Sequence, residues 1–148
     1  MDMILWRHAE AVDSSPDHAR ELTAKGIKHA GKIAVFLRQH LPENTRILVS
    51  PTTRTQQTVS ALTDHFTLVS GIAPGASAQD IFQAAHWPDD GGTVLVVGHQ
   101  PTLGEVAAQL LRCEASSLSI KKGAVWWFSR REGTEQVTLR LVISPDFL

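Results

Sequence analysis

The sequence has little cysteine, no long apolar run and no excess of charge of either sign. Cys113 is the only cysteine among 148 residues, which excludes an intramolecular disulfide framework and a zinc site built from several cysteines. A single thiol fits a reducing compartment, so we expect a cytoplasmic protein. Apolar stretches reach only five or six residues, far below the ~18–20 that a membrane-spanning helix needs. Met1–Arg7 lacks a basic segment followed by a long apolar one, which argues against an ordinary signal peptide.

The balance of charge narrows the range of partners. The 14 Lys and Arg residues stand against 15 Asp and Glu residues, which gives a formal net charge of −1. Without a bulk basic field, we expect neither nucleic acid nor an anionic membrane as the main partner. The length suits one domain and no segment has the composition of a linker, so we expect a single domain over residues 1–148.

Short apolar runs alternate with helical patterns over the first ~110 residues, which is typical of βαβ units. Met3–Trp6, Ile47–Val49 and Thr93–Val97 are apolar at consecutive positions, as in parallel strands buried on both faces. The helical spacing of apolar residues predicts a helix over Thr23–Leu41. Three more helices are predicted: one that Ser50 caps and Pro51 begins, one over Ser77–Ala85, and one from a capping box of Thr102 and Glu105 through Leu110.

The C-terminal part of the chain follows a different pattern. Two predicted strands, Ala124–Ser129 and Gln136–Ile143, are joined by residues 131–134, which indicates an antiparallel hairpin. Leu68–Ser77 contains two glycines and a proline and is predicted to be a loop over a sheet edge. We therefore expect a three-layer α/β/α fold, with a mainly parallel sheet and antiparallel strands at its C-terminal side.

Arginine and histidine side chains stand just past the ends of the three apolar strands. Arg7 and His8 end the first strand, Arg54 lies in the helix after the second, and His99 follows the third. Ligands of open α/β sheets bind at the carboxyl ends of the strands, so these side chains should converge on one crevice. Arg54 is predicted in the first turn of its helix, where a cation opposes the helix dipole by ~0.3–1 kcal/mol unless an anion binds there. The pattern therefore predicts an anion site.

The chemistry of Arg7 and His8 supports the same hypothesis. A guanidinium at the end of a buried strand needs a counter-ion, because a buried unpaired charge is costly. Its N–H groups can form two parallel hydrogen bonds to the oxygens of a phosphate. A neutral imidazole, whose ordinary pKa is ~6.5, attacks phosphorus when one nitrogen is free. We therefore expect activity to fall at low pH as His8 is protonated. The other histidines have no metal-ligand spacing, so we expect no metal site.

Three segments together resemble the histidine phosphatase superfamily, which is also called phosphoglycerate-mutase-like. They are Arg7–Glu10, Ser50–Thr58 with its Arg54, Gln57 and Thr58, and Gly98–Pro101. Arg20–Gly26 is similar to the entry into the first helix of that family, and the resemblance runs in order over Met3–Leu111. The small size and Ala9, where many members have glycine, resemble the SixA-type phosphohistidine phosphatases.

The resemblance implies a phosphoglycerate-mutase-like fold and a phosphatase that passes through a phosphohistidine enzyme intermediate. It implies that His8 is the nucleophile, that Arg7 and Arg54 clamp the phosphoryl group, and that His99 binds the phosphoryl oxygens. It implies no metal and no organic cofactor. Further candidates for the pocket are Glu10, Arg20 and Gln100, whereas Lys121 and Lys122 are interpreted as a solvated pair.

A general acid is missing from the place where many members of this superfamily carry one. The loop over Phe66–Gln79 contains no Asp or Glu, and Asp80 and Glu10 are the nearest candidates. Loss of the acid penalises alkoxide leaving groups most, whereas imidazole departs neutral from an already protonated P–N bond. This favours phosphohistidine on a signalling or carrier protein as the substrate. A small-molecule phosphomonoesterase and a non-catalytic phosphoprotein-binding module are the alternatives. A monomer is favoured, although the sequence does not fix the oligomeric state.

Overall fold

A six-stranded sheet forms the centre of the computed structural model, which describes residues 1–148. Its strands are β1 (Asp2–Arg7), β2 (Arg46–Val49), β3 (Thr67–Leu68), β4 (Thr93–Gly98), β5 (Val125–Arg130) and β6 (Val137–Ile143). Across the sheet they lie in the order β3-β2-β4-β1-β5-β6. The first four are parallel, while β5 is antiparallel to β1 and β6 is antiparallel to β5. The predicted mixed sheet is confirmed.

Four α-helices cover the two faces of this sheet. They are α1 (Ala24–His40), α2 (Thr53–Ser60), α3 (Ala78–Ala85) and α4 (Thr102–Leu110), and short 3₁₀ turns occur at Asp17–Ala19, Ser70–Ile72 and Pro145–Phe147. One buried cluster joins α3 and α4 to one face, and a second joins α1 and α2 to the other. Because side chains alternate along a strand, Met3 and Leu5 of β1 enter the first cluster, and Ile4 and Trp6 enter the second. None of the helices combines the length and apolar character needed to cross a bilayer.

Two helix starts differ from those predicted. The N-cap of α2 is Thr52, because Ser50 is fully buried and its hydroxyl is engaged elsewhere. Helix α4 begins after Pro101, and Oγ1 of Thr102 donates to the carbonyl of Ala76 instead of capping the helix. In α2 the side chain of Thr52 takes over the capping role, whereas in α4 no side chain caps the helix.

The short strand β3 was not predicted. It pairs in parallel with the end of β2 at one edge of the sheet, and the 3₁₀ turn at Ser70–Ile72 follows it. Both overlap or adjoin Leu68–Ser77, which was predicted to be a loop. Two residues with exposed side chains offer no periodicity from which a strand could be inferred.

Helix α1 packs closely on the chain that leaves β1. A Cβ atom at Gly26 would lie 2.1 Å from the carbonyl oxygen of Glu10, so only glycine fits at that position. Thr23, the N-cap of α1, donates through its backbone N–H to the same oxygen at 3.0 Å and through Oγ1 to the Glu10 carboxylate at 2.9 Å. The start of α1 therefore holds the backbone that follows His8.

Gly26→Ala should lower the free energy of unfolding by about 1–3 kcal/mol, because the added methyl group pushes α1 away from Glu10. Gly31→Ala is the matched control on the same helix, where a Cβ atom meets open space. It should raise stability by about 0.5–1 kcal/mol through helix propensity. Chemical denaturation measures both changes, and equal effects of the two substitutions would contradict the close contact at Gly26.

Candidate active site

Four side chains that the sequence predicted to converge lie together at the carboxyl ends of β1, β2 and β4. Arg7 ends β1 and His8 follows it, His99 follows β4, and Arg54 lies in the first turn of α2. The parallel register of β4 with β1 and β2 brings the three strand ends to one level. The ring centroids of His8 and His99 are 5.4 Å apart. Both rings and the Arg54 side chain are buried, with at most 6% exposure.

The hydrogen bonds of this cluster leave three buried nitrogen atoms without a partner in the protein. Arg7 donates from Nη1 to the carbonyl of Ile120 at 2.8 Å. Arg54 donates from Nη1 and Nη2 to the backbone and carboxylate oxygens of Asp17, at 2.8 and 3.1 Å. The unpaired atoms are Nε of Arg7, Nε of Arg54 and Nδ1 of His99. Because a buried donor without an acceptor costs ~1–3 kcal/mol, the arrangement suits an oxyanion that supplies the missing acceptors.

The ring of His8 presents one nitrogen for chemistry. Its Nδ1 lies 2.7 Å from the carbonyl oxygen of Ala9, which can only accept a hydrogen bond. Nδ1 therefore carries the proton, and Nε2 keeps its lone pair. This is the tautomer that a nucleophilic imidazole needs.

Burial and neighbouring cations keep both rings neutral. Burial lowers the pKa of His8 to about 4; the charges of Arg54, Arg7 and Arg20 act in the same direction, and the hydrogen bond to the Ala9 carbonyl opposes them. Burial also lowers the pKa of His99 to about 3, followed by the effects of His8 and Arg54. The ordinary imidazole pKa assumed for His8 from the sequence is therefore wrong, because it ignored the desolvation and the guanidinium groups around the ring.

Ser50 belongs to the cluster although the sequence assigned it to a helix cap. It is fully buried, and its Oγ lies 2.7 Å from Nε2 of His99. When this hydroxyl donates, Nε2 is the acceptor and the proton of the neutral ring sits on Nδ1. That is the tautomer in which His99 offers a donor to an oxyanion. The available signal was the position of Ser50 directly after a buried strand, level with the other strand ends.

Two other residues of the same segment tie α2 to the chain around the nucleophile. Oγ1 of Thr58 accepts the backbone N–H of Ala9 at 3.0 Å and donates to the carbonyl of Arg54 at 2.7 Å. Oε1 of Gln57 accepts the backbone N–H of Leu22 at 2.7 Å. These bonds fix the position of Arg54 relative to His8.

The three other residues predicted for the pocket, Arg20, Glu10 and Gln100, make different contacts. Arg20 donates to the Asp17 carboxylate at 3.3 Å and so joins the pair that Asp17 makes with Arg54. The carboxylate of Glu10 accepts a hydrogen bond from Oγ1 of Thr23 at 2.9 Å. Gln100 has a structural position: its Oε1 accepts a first-turn backbone N–H of α4, and its Nε2 donates to the loop that follows that helix. The structure contains no group of three or more His, Cys, Asp or Glu side chains placed to hold a metal ion.

Comparison with known proteins assigns the family. The chain is 35% identical over 126 residues to the phosphohistidine phosphatase SixA homolog of Haemophilus influenzae, and the alignment covers 74% of this chain and 77% of that relative. The chain belongs to the SixA family of histidine phosphatases. Escherichia coli phosphohistidine phosphatase SixA is 29% identical over 119 residues, with 74% of each protein covered. No protein-family model matches the chain.

The fold agrees with membership in the SixA family. A solved structure of the protein histidine phosphatase SixA complexed with tungstate has a TM-score of 0.81 to this chain at 22% identity, and 99% of each chain is covered. The phosphoglycerate-mutase-like fold implied by the sequence resemblance is therefore confirmed. Family membership makes the chain a hydrolase of the phosphatase class.

We expect the rings of His8 and His99 to stay neutral from pH 8 down to pH 5, because their pKa values are lowered to about 4 and about 3. NMR titration of the ring carbons and protons, assigned with His8→Ala and His99→Ala, measures this directly. In the unfolded chain the two histidines bind protons below pH ~6.5, whereas in the folded protein they stay neutral at that pH. The free energy of unfolding should therefore fall as the pH drops from ~6.5 toward about 4. A His8 midpoint near 6.5 would refute the assignment.

Ser50→Ala should lower kcat by about 10- to 100-fold with a small change in KM, because it releases the His99 ring rather than removing a donor. The ¹⁵N shifts of His99 should change toward a mixture of tautomers. Ser60→Ala, on the exposed side of α2, is the matched control and should leave both unchanged. An unaltered His99 tautomer in Ser50→Ala would show that the hydroxyl does not orient the ring.

Proposed function

We propose that this SixA-family phosphatase hydrolyses phosphohistidine through a covalent phosphoryl intermediate on Nε2 of His8. The observation that carries the proposal is a set of three buried, unpaired nitrogen atoms, one on each guanidinium and one on His99, in the cluster that contains the neutral His8 ring. Three donors match the three non-bridging oxygens of a phosphoryl group in transfer. Phosphoryl transfer depends mainly on such positioning and charge stabilisation.

The first step transfers the phosphoryl group between two imidazoles. The Nε2 lone pair of His8 attacks phosphorus in line, and the P–N bond of the substrate breaks, with its electron pair moving to the leaving imidazole. Because the other nitrogen of that substrate ring already carries a proton, the ring leaves as neutral imidazole. The phosphorylated His8 ring keeps its Nδ1 proton on the Ala9 carbonyl. The bond formed and the bond broken are alike, so this step is close to thermoneutral.

The second step releases inorganic phosphate. Water attacks phosphorus, the P–Nε2 bond breaks, and its electron pair returns to His8, which is again neutral. Both protons of the water leave with the product as dihydrogen phosphate. Arg7, Arg54 and His99 donate to the same phosphoryl oxygens in both steps. The charge that builds on these oxygens is what the two guanidinium groups stabilise.

The hydrogen bonds of three carboxylates, Asp17, Asp80 and Glu10, support an imidazole leaving group over an alkoxide. A hydrogen bond from Arg54 holds the pKa of Asp17 below its usual range, so Asp17 stays ionised and is a poor acid. Asp80 accepts the Ser77 backbone N–H in the capping box of α3, which also lowers its pKa. Glu10, the other candidate acid, accepts a hydrogen bond from Oγ1 of Thr23 at 2.9 Å. With all three carboxylates engaged as acceptors, an alkyl phosphate would lose ~10²–10⁴ in rate for want of a proton donor, whereas phosphohistidine needs none.

The natural substrate in this proposal is a histidine-phosphorylated protein of a signalling or carrier system. The relatives from Haemophilus and Escherichia are named as phosphohistidine phosphatases, which supports this class. The proposed compartment is the cytoplasm, since Cys113 is a free, exposed thiol.

The test is single-turnover dephosphorylation of a histidine-phosphorylated carrier protein, run beside p-nitrophenyl phosphate. His8→Ala should slow the reaction at least ~10³-fold, because no other group replaces the nucleophile. His65→Ala, which removes an exposed histidine, is the control and should retain full activity. Rapid hydrolysis of the aryl phosphate alone would move the substrate to small molecules. Tight binding of phosphate without turnover, unchanged in His8→Ala, would replace the enzyme with a binding module.

A further inference from the structure

A polar groove adjoins the catalytic cluster and shares Arg7 with it. Its volume is about 320 Å³, and no hydrophobic side chain lines it. We call it the lysine groove, after the charged residues that line it: Arg7, Lys25, Lys121, Lys122, Glu10 and Asp146. The groove therefore presents four cations and two carboxylates beside the proposed phosphoryl site.

One wall of the lysine groove is bonded directly to the nucleophile segment. The backbone N–H of Gly123 donates to the carbonyls of Arg7 and His8, at 3.1 and 3.0 Å. Arg7 in turn donates from Nη1 to the carbonyl of Ile120 at 2.8 Å. Gly123 has a φ of +76°, a conformation that favours glycine. The loop that carries Lys121 and Lys122 is thereby held one hydrogen bond away from His8.

The start of α1 also lines the lysine groove, through Lys25. Lys25 precedes Gly26, the residue whose backbone packs against the Glu10 carbonyl. Lysines from two separate segments of the chain therefore line one groove together with Arg7. Because Arg7 also belongs to the phosphoryl cluster, a polypeptide whose phosphorylated residue reaches His8 can place its flanking residues in this groove.

The charge of the lysine groove departs from that of the whole chain. Four of the 14 Lys and Arg residues line it, but only two of the 15 Asp and Glu residues do. Lys121 lies 3.8 Å from Asp146, a loose pair that offsets part of its charge. Lys25 and Lys122 are exposed and make no ion pair with the protein. These two ammonium groups are free to meet carboxylates from a partner.

We propose that the lysine groove binds Asp or Glu side chains of the protein substrate that flank its phosphohistidine. This proposal rests on the proposed function, which supplies the phosphoryl group beside it. Three of the four cations are lysines. Their ammonium groups are flexible point charges, so they can pair with carboxylates that a polypeptide presents in varied positions. The groove thus selects for acidic surroundings of the phosphorylated residue.

The test compares two histidine-phosphorylated peptides that differ only in their flanking residues, Asp in one and Asn in the other. Lys25→Gln combined with Lys122→Gln should lower kcat/KM for the Asp peptide by about 3- to 10-fold, the range for a pair of exposed ion pairs. The Asn peptide and free phosphohistidine should change less than twofold. Lys28→Gln combined with Arg131→Gln removes equal charge outside the groove and is the matched control. Added salt should weaken only the wild-type preference for Asp.

A binding measurement separates this proposal from the proposed function. The same peptides, carrying a stable phosphohistidine analogue, are titrated by fluorescence anisotropy into the wild type and both double variants. A preference for Asp that disappears only in the groove variant supports the lysine groove, even if no phosphohistidine substrate is hydrolysed. Equal affinity for the Asp and Asn peptides would overturn it. So would a groove effect confined to small molecules with a second phosphoryl group, because the ligand would then not be a carboxylate.

Discussion

Parallel pairing of β4 with both β1 and β2 is the constraint on which the site depends. It brings the carboxyl ends of the three strands to one level, so that site residues distant in sequence lie side by side. The backbone N–H of His8 donates to the Gly98 carbonyl, and that of Ser50 donates to the Val97 carbonyl. The hydrogen bonds between the parallel strands thus continue one residue past each strand. They fix the positions of His8, Ser50 and His99 relative to one another. A slip of one residue in either pairing would turn these side chains to the opposite faces of the sheet.

The cluster combines neutral rings with fixed cations, and this combination suits its chemistry. Protonated histidines beside two guanidinium groups would repel one another and would remove the nucleophilic lone pair. Burial prevents this by lowering both histidine pKa values. The two guanidinium groups, which stay charged in proteins, are held in place by hydrogen bonds to Ile120 and Asp17. The positive field therefore comes from groups that cannot lose it near neutral pH. The lone pair remains on the one atom that has to react.

The sequence predicted the elements whose signals are local. The buried strands were predicted because their runs are apolar at every position, and α1 was predicted because its apolar residues recur at helical spacing. The convergence of Arg7, His8, Arg54 and His99 followed from the rule for strand ends. Their catalytic roles stay predictions, as does the single domain.

The features that the sequence missed depend on contacts between distant parts of the chain. Ser50 has the residue type of a helix cap, and only the fold places its hydroxyl against His99. The histidine pKa values require the burial that packing creates. The contact between Gly26 and the Glu10 carbonyl likewise depends on the packing of α1 against the chain after β1. In each case the local pattern had an ordinary interpretation, and the tertiary structure supplied the neighbour that changed it.

The anchoring of Arg7 makes the orientation of the nucleophile a property of the whole sheet. Its guanidinium is bonded to Ile120, 113 positions later in the chain, and the backbone of Arg7 and His8 is bonded to Gly123 and Ala124. The strands and helices that carry the four site residues would, by themselves, leave one edge of β1 open and the Arg7 guanidinium without its carbonyl. The catalytic centre is therefore ordered only after β5 has docked on β1, so partial unfolding of the C-terminal hairpin would release the nucleophile segment before the parallel strands separate.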